Sequence, residues 1–198
     1  MSISLACITL NRCMKLNRLL ANSKDYVDEI IVVDGGSTDD TEKICKMHGA
    51  KMYVKKWEND FSAQRNFGLL KVTSDWVLIL DDDEFLEMSV WGYLYDIIKN
   101  NNKDKVCYSI SRKNYIISDE NKYNINQYKD FFHFPDYLIR FFRKGMQFNG
   151  KKVHEGFDTT GYENIEIPIE YGSIIHEKSW EDQKKADIMY RQLENSYN

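Results

Sequence analysis

Apolar positions along the first hundred residues switch repeatedly between a strand-like and a helix-like pattern. Residues 3–10 (ISLACITL) form a mostly apolar stretch, as a buried strand does, and residues 13–21 follow with Leu16, Leu19 and Leu20 at helical spacing. Residues 29–33 (EIIVV) are a β-branched run of the kind covered on both faces. The segment Asp34-Gly35-Gly36-Ser37-Thr38 then permits a tight turn, and Ser37 is placed to cap a helix running through Ile44 and Met47. A short strand is expected at 51–54. Asp60 or Ser62 opens the next helix, with Ala63, Asn66, Phe67 and Leu70 on one face, and residues 75–80 (DWVLIL) read as another buried strand. Helix 89–99 has Val90, Trp91, Leu94, Ile97 and Ile98 as its apolar side.

This alternation predicts an α/β domain with a mostly parallel sheet flanked by helices. Ligands of such sheets sit beyond the carboxyl ends of the strands. Asp34 and the Asp81–Glu84 cluster both fall at such ends, so two remote acidic segments are expected to converge on one edge. The second half reads differently, as a smaller β region. Strands are expected at 106–112, 137–142, 165–169 and 171–175 without regular helices between them, and residues 113–134 form a long polar and aromatic loop. Residues 180–195 have helical character. No linker rich in Gly, Pro or Ser divides the chain, so residues 1–198 are read as one domain.

Composition narrows the function classes. A net charge of −4 lacks the excess of positive charge that a general nucleic-acid binder needs, so no nucleic-acid partner is expected. No apolar run approaches a membrane span, and the first ten residues lack a basic leader, which points to a cytoplasmic protein. Peripheral contact with the inner face of a membrane through the C-terminal helix stays open. Cys7, Cys13, Cys45 and Cys107 lack CxxC spacing and are expected as reduced thiols rather than disulfides or a zinc site.

Asp81, Asp82, Asp83 and Glu84 are four consecutive carboxylates behind an apolar run. They repel one another strongly unless a divalent cation or a cationic partner intervenes, and hard oxygen ligands suit Mg2+ or Mn2+. The alternative is a solvated turn that caps helix 89–99. Asp34 likewise has two readings: a helix-start residue, or an acceptor for an N–H donor such as a pyrimidine N3–H.

Ordered segments spread along the chain carry a resemblance. They are Thr9–Arg12 (T-x-N-R), EIIVVDGGSTDDT at 29–41, FSAQRNFG at 61–68, DWVLILDDDE at 75–84 and VHEG at 153–156. Together they cover roughly residues 3–178, and the sequence resembles a family 2 glycosyltransferase with the GT-A fold. The nearest resemblance is to a bacterial subgroup with LDADE and VHE motifs, which includes lipopolysaccharide-core and protein or peptide transferases. Asp82 stands where that motif has alanine.

The resemblance implies a metal-dependent transferase that moves a sugar from a nucleotide-diphosphate donor, most often a UDP-sugar. The acceptor hydroxyl would belong to a glycan, a lipid-linked glycan or a protein. Residues 1–100 would bind the nucleotide-sugar and 101–178 the acceptor. Thr9, Asn11 and Arg12 would line the nucleotide pocket, Asp34 would hold the base, and Arg65 would contact base or phosphates. Asp83 would bind Mn2+ or Mg2+, Asp81 or Asp82 the ribose, and His176 would be a further metal or phosphate ligand. Glu155 matches the candidate base. One base opposite the leaving group gives a single displacement and hence inversion at the anomeric carbon.

Rivals stand beside these roles. Asp158, Glu163 and Glu84 are alternative bases. His154 and His176 also read as core or edge histidines, whereas His48 and His133 carry no signal. Arg140 and Arg143 read as surface arginines of a strand, with phosphate pairing as the other reading. Aromatic rings at 108–142 could stack on a sugar or fill a core. A catalytically inactive domain that binds nucleotide or glycan within a larger assembly is the alternative to an enzyme. The turn after the first strand lacks GxGxxG, no GxxxxGK[ST] occurs, and a sugar-phosphate nucleotidyltransferase would be expected to show a Gly-rich first turn.

Overall fold

A computed structural model describes residues 1–101, 104–117 and 134–195. The first half alternates as the pattern predicts: β1 (Ile3–Thr9), α1 (Cys13–Ser23), β2 (Glu29–Asp34), α2 (Thr41–Met47), β3 (Lys51–Val54), α3 (Phe61–Leu69) and β4 (Trp76–Ile79). A short β5 (Glu84–Leu86) and α4 (Met88–Asn100) follow. The second half contributes β6 (Val106–Ile117), β7 (Asp136–Arg143), β8 (Glu163–Glu166), β9 (Ile174–Ser179) and α5 (Trp180–Asn195).

Among the described residues the strands form one mixed, mostly parallel sheet in the order β3-β2-β1-β4-β7-β6-β9-β5, with β8 also paired to β6. The parallel pairs β1–β2, β2–β3 and β1–β4 hold the first half together, and antiparallel β7 joins it to the second half. Strand β1 alternates its side chains between two cores. Ile3, Leu5 and Cys7 meet α1 and α4 on one face, while Ala6 joins Ile31, Val77 and Ile79 on the other. Burial on both faces explains the unbroken apolar runs. The four cysteines are free thiols, and all but Cys13 are buried.

Several elements depart from the expected pattern for identifiable reasons. Helix α2 starts after Asp40, because the Ser37 hydroxyl donates to Asp34 Oδ1 (2.5 Å) instead of capping a helix. On α3 the expected apolar face is not the buried one: Leu70 is exposed, and Ser62, Gln64, Arg65 and Gly68 are buried. Gly68 explains the close docking of α3, since a Cβ there would lie 2.9 Å from Val33 Cγ2. Arg65, three residues earlier, is thereby turned inward on the same helix face. The late strands are shifted to Glu163–Glu166 and Ile174–Ser179, separated by a short 3-10 turn at Ile169–Tyr171. Pro168 lacks an N–H to donate, and Gly172 has φ 106°, so the ladder breaks between them. Strand β6 extends to Ile117. The rest of the expected loop, residues 118–133 with His133, lies outside the described residues. The aromatic segment is core where it is described: Tyr108, Phe141 and Phe142 are buried, and Trp76 stacks on Phe141.

Glu29 anchors the amino-terminal end of the sheet. It is buried, and its carboxylate accepts from Ser4 Oγ (2.7 Å), Thr73 N (2.9 Å), Thr73 Oγ1 (3.0 Å) and Lys51 Nζ (2.7 Å). Burial raises its pKa, but the Lys51, Ser4 and Thr73 bonds outweigh burial and bring it from 4.5 to about 2. A carboxylate depressed in the folded state stabilises above its unfolded pKa, and that stability is lost as pH falls. Urea denaturation across a pH series is therefore expected to show stability falling between roughly pH 4.5 and pH 2 through this residue, by about 2 kcal/mol because solvent screens the exposed Lys51 partner. Glu29→Gln should cost about 2 kcal/mol at neutral pH and remove this part of the acid slope.

Candidate active site

The carboxyl ends of β1, β2 and β4 bring the expected residues to one edge. Thr9 pairs in register with Asp34, and its hydroxyl donates to Asp82 Oδ2 (2.8 Å). The two remote acidic segments therefore meet on either side of one threonine. Asp34 is buried and accepts from Gly36 N (3.0 Å), Ser37 N (2.9 Å) and Ser37 Oγ. Asn11 has φ 53°, a left-handed conformation that asparagine tolerates, and its Oδ1 accepts from Thr38 N (2.7 Å). Asp34 and Asn11 thus fix the loop after β2 against the loop after β1.

The acidic run is not a solvated turn. Asp82, Asp83 and Glu84 are buried, and helix α4 is entered through Glu87. Cations surround the run instead. Arg12 Nη1 donates to Asp82 Oδ1 (2.9 Å) and Nη2 lies 3.0 Å from Asp83 Oδ2. Arg65 bridges Asp81 (Nη2 to Oδ1, 2.7 Å) and Glu155 (Nε to Oε1, 2.8 Å). Arg140 reaches Asp81 (3.2 Å) and Glu84 (2.8 Å). Glu84 also faces Arg112 (3.2 Å) and accepts from the Asp81 N–H (3.0 Å).

Environment separates the three aspartates. Burial pushes Asp82 up to about 7, with Asp83 and Asp81 adding repulsion that Arg12 and Thr9 only partly offset. Burial also acts to raise Asp81, but Arg65 and then Arg140 hold it well below the usual carboxylate range. Asp83 is likewise held low against its burial, by His176 and Arg12. Arg65 is buried, yet Asp81 and Glu155 raise its pKa above the ordinary arginine value.

His176 lies within β9, opposite Glu84 of β5, rather than after the strand. Its Nδ1 donates to Asn114 Oδ1 (2.6 Å), which leaves Nε2 facing Asp83 Oδ1 at 3.4 Å. Among the described residues no three His, Cys, Asp or Glu side chains converge to hold a metal ion. Asp83 and His176 nevertheless fit a partial set. Asp83 Oδ2 is buried with no aligned hydrogen bond, and His176 is oriented through its other nitrogen, as metal-binding histidines are. Mg2+ and Mn2+ commonly take one or two protein ligands and fill the rest with phosphate and water.

Other residues fall elsewhere. His154 is not a core histidine: it is exposed, with φ 50°, stacks on Tyr190 of α5 and lies 2.7 Å from Glu194. That backbone turn leaves Glu155 half-buried on the Arg65 side. Asp158 and Glu163 are exposed, and Glu84 is enclosed by two arginines. Arg143 is half-buried over the Trp76 ring (4.5 Å). Arg140 is buried, not a surface arginine. The β6–β7 register runs from Tyr108–Phe141 to Ser109–Ile139 and skips Arg140, a bulge that re-aims its side chain.

Lys15 and Asp182 also reach the acidic edge, although neither belongs to a motif. Lys15 Nζ lies 2.6 Å from Asp182 Oδ2 and 3.7 Å from Asp83 Oδ2. A signal did exist. Arg12 and Lys15 sit three apart at the start of α1, where the helix dipole disfavours cations, so a basic pair there implies an anion.

The glycosyl transferase family 2 model matches residues 5–162, and the chain belongs to that family. Its mostly parallel sheet flanked by helices is the GT-A architecture the resemblance implied. A TPR repeat-containing protein of Synechococcus elongatus is 45% identical over 92 residues, 46% of this chain and 23% of the relative. An uncharacterized glycosyltransferase of Rickettsia felis is 37% identical over 103 residues, 52% of this chain and 36% of the relative. The matches therefore span well under half the length of either relative. The crystal structure of Staphylococcus aureus TarS 1–349 in complex with UDP-GlcNAc is similar at a TM-score of 0.47 and 22% identity, covering 57% of this chain and 35% of that one. No helix among the described residues is long and apolar enough to cross a membrane.

Proposed function

We propose that this chain is a catalytic domain that transfers a sugar from a nucleotide-diphosphate donor, with UDP as the nucleotide, to an acceptor hydroxyl with inversion. The observation that carries the reading is the meeting of Thr9, Arg12, Asp34, Arg65, Asp81, Asp82, Asp83 and His176 at one sheet edge in a family 2 chain. Two buried donors favour an anionic ligand there. Arg65 Nη1 and Arg140 Nε have no hydrogen-bond partner among the described residues, and an unmade bond of this kind is costly. One continuous sheet supports reading residues 1–198 as a single domain.

In this reading Thr9 and Asn11 line the nucleotide pocket, Asp34 holds the base, and Asp81 or Asp82 takes the ribose. Asp83 and His176 would hold Mg2+ or Mn2+. Bound there, the cation would offset the negative charge that builds on the departing diphosphate. Glu155 serves as the base. Its Oε1 is fixed by Arg65, and Oε2 remains to take the acceptor proton. The acceptor is a glycan, a lipid-linked glycan or a protein, worked on at the cytoplasmic side.

Glu155→Gln keeps the Arg65 bond but cannot accept a proton. It is expected to lower transfer about 10²- to 10⁴-fold while UDP affinity stays within about threefold. Transfer from UDP-sugars and calorimetric UDP binding measure the two. Unchanged transfer would reassign the base, and NMR of the fresh linkage tests inversion. A melting-temperature screen of nucleotide sugars with Mn2+ and Mg2+ tests the donor class, since a ligand bound only by the folded state raises it.

A further inference from the structure

Helix α5 follows β9, the strand of His176, and runs past Lys15, Phe61 and His154. Leu193 is its buried side chain, and its other described side chains are exposed or half-buried. Its contacts nevertheless fall on site residues or their neighbours. Tyr190 stacks on His154 and approaches Phe61, Glu194 meets His154, and Asp182 reaches Lys15 and Arg12. Asp182 Oδ2 lies 2.6 Å from Lys15 Nζ and 3.8 Å from Arg12 Nη2. The same two cations face Asp83 Oδ2 at 3.7 Å and 3.0 Å. Asp182 is thus a carboxylate of an exposed helix set on a cation pair whose other partners, Asp82 and Asp83, belong to the sheet edge.

The pair itself is unusual. Arg12 is the N-cap of α1 and Lys15 lies in its first turn; the Cys13 N–H between them is already bonded to Asp39, so the attraction for an anion comes from the two side-chain cations, which both reach Asp182 Oδ2. A diphosphate carries more charge than one carboxylate and offers the planar arginine two oxygens at once. It cannot share the pair with Asp182 without like charges meeting.

We propose that Lys15, together with Arg12, binds the donor diphosphate, and that Asp182 on α5 competes with it for the same two cations. Docking of the first turn of α5 and donor binding then exclude each other. The inference rests on the nucleotide-diphosphate reading above, and adds to it a phosphate-positioning residue and a gate.

Calorimetric titration of the full chain with UDP and with uridine separates phosphate contacts from base contacts. The side chains of Lys15 and Asp182 are 29% and 30% exposed, so neither substitution disturbs the core. Asp182→Asn should tighten UDP binding about fivefold and leave uridine unchanged, whereas Lys15→Met should weaken UDP about tenfold and also leave uridine unchanged. In the double variant the gain from Asp182→Asn should fall below about twofold, because the competed cation is gone. Amide exchange across residues 180–190 should rise when UDP is added to the wild type. UDP affinity equal or weaker in Asp182→Asn overturns this inference alone. Absence of UDP binding in all forms overturns the donor reading and this inference with it.

Discussion

Asp83→Asn is expected to reduce sugar transfer about 10³-fold or more while the protein stays folded. Asparagine keeps the shape of the side chain and removes its charge. The surrounding cations retain anions, since Arg12 still has Asp82 and Lys15 still has Asp182. The melting temperature should therefore move by only a few degrees, as for a change near 1 kcal/mol. Three readouts are separable: transfer from a UDP-sugar, UDP binding with and without Mn2+, and uridine binding. Transfer should collapse, the Mn2+-dependent part of UDP binding should vanish, and uridine should bind as before. Full transfer in Asp83→Asn, or in excess chelator, would remove the metal role from the proposed mechanism. Asp82 is the natural comparison. It lies beside Asp83 but is bonded to Thr9 and Arg12, so Asp82→Asn should cost less in transfer and leave the Mn2+ dependence intact.

The strands that end in Asp34 and Asp81 were readable from the sequence for a simple reason. A strand covered on both faces must be apolar throughout, and a carboxylate straight after it has nowhere to go but the sheet edge. The meeting of those edges follows from parallel order, which the alternating helices implied. What could not be read was the company each carboxylate keeps. Arg140 looked like one of two surface arginines because strand alternation assumes an unbroken register, and a bulge at that residue breaks it. On α3 the apolar-face rule failed because the buried face carries polar side chains with directed partners, Arg65 at the acidic edge and Gln64 on the Lys55 carbonyl. Asp182 lies 167 positions from Lys15, and no local pattern links a carboxylate near the end of the chain to a lysine near its start. The VHE segment was legible as a motif, but its histidine and glutamate diverge, because the positive φ of His154 sends the two side chains to different neighbours.

Arg65→Met should be the most destabilising change in the site, at about 3–5 kcal/mol by urea denaturation at neutral pH. The guanidinium is buried between Asp81 and Glu155, at 2.7 Å and 2.8 Å. Methionine fills most of the volume but leaves two carboxylates facing each other with one of their cations gone. Arg140 still reaches Asp81, whereas Glu155 loses the only ion pair it makes among the described residues. The pH dependence distinguishes this cause from lost packing. In the wild type Asp81 is held low chiefly by Arg65, so its contribution is present above the ordinary carboxylate pKa and fades as pH falls. In Arg65→Met that depression is largely removed, and protonation relieves the repulsion. The deficit should therefore shrink as pH falls from 7 toward about 4, where a packing defect would persist unchanged. Arg65→Lys supplies the remaining control. It restores one charge but only one of the two directed contacts, so it should recover part of the stability and leave Glu155 mispositioned. A variant that regains stability without regaining transfer would separate the two tasks of this arginine, neutralising the acidic edge and aiming the base.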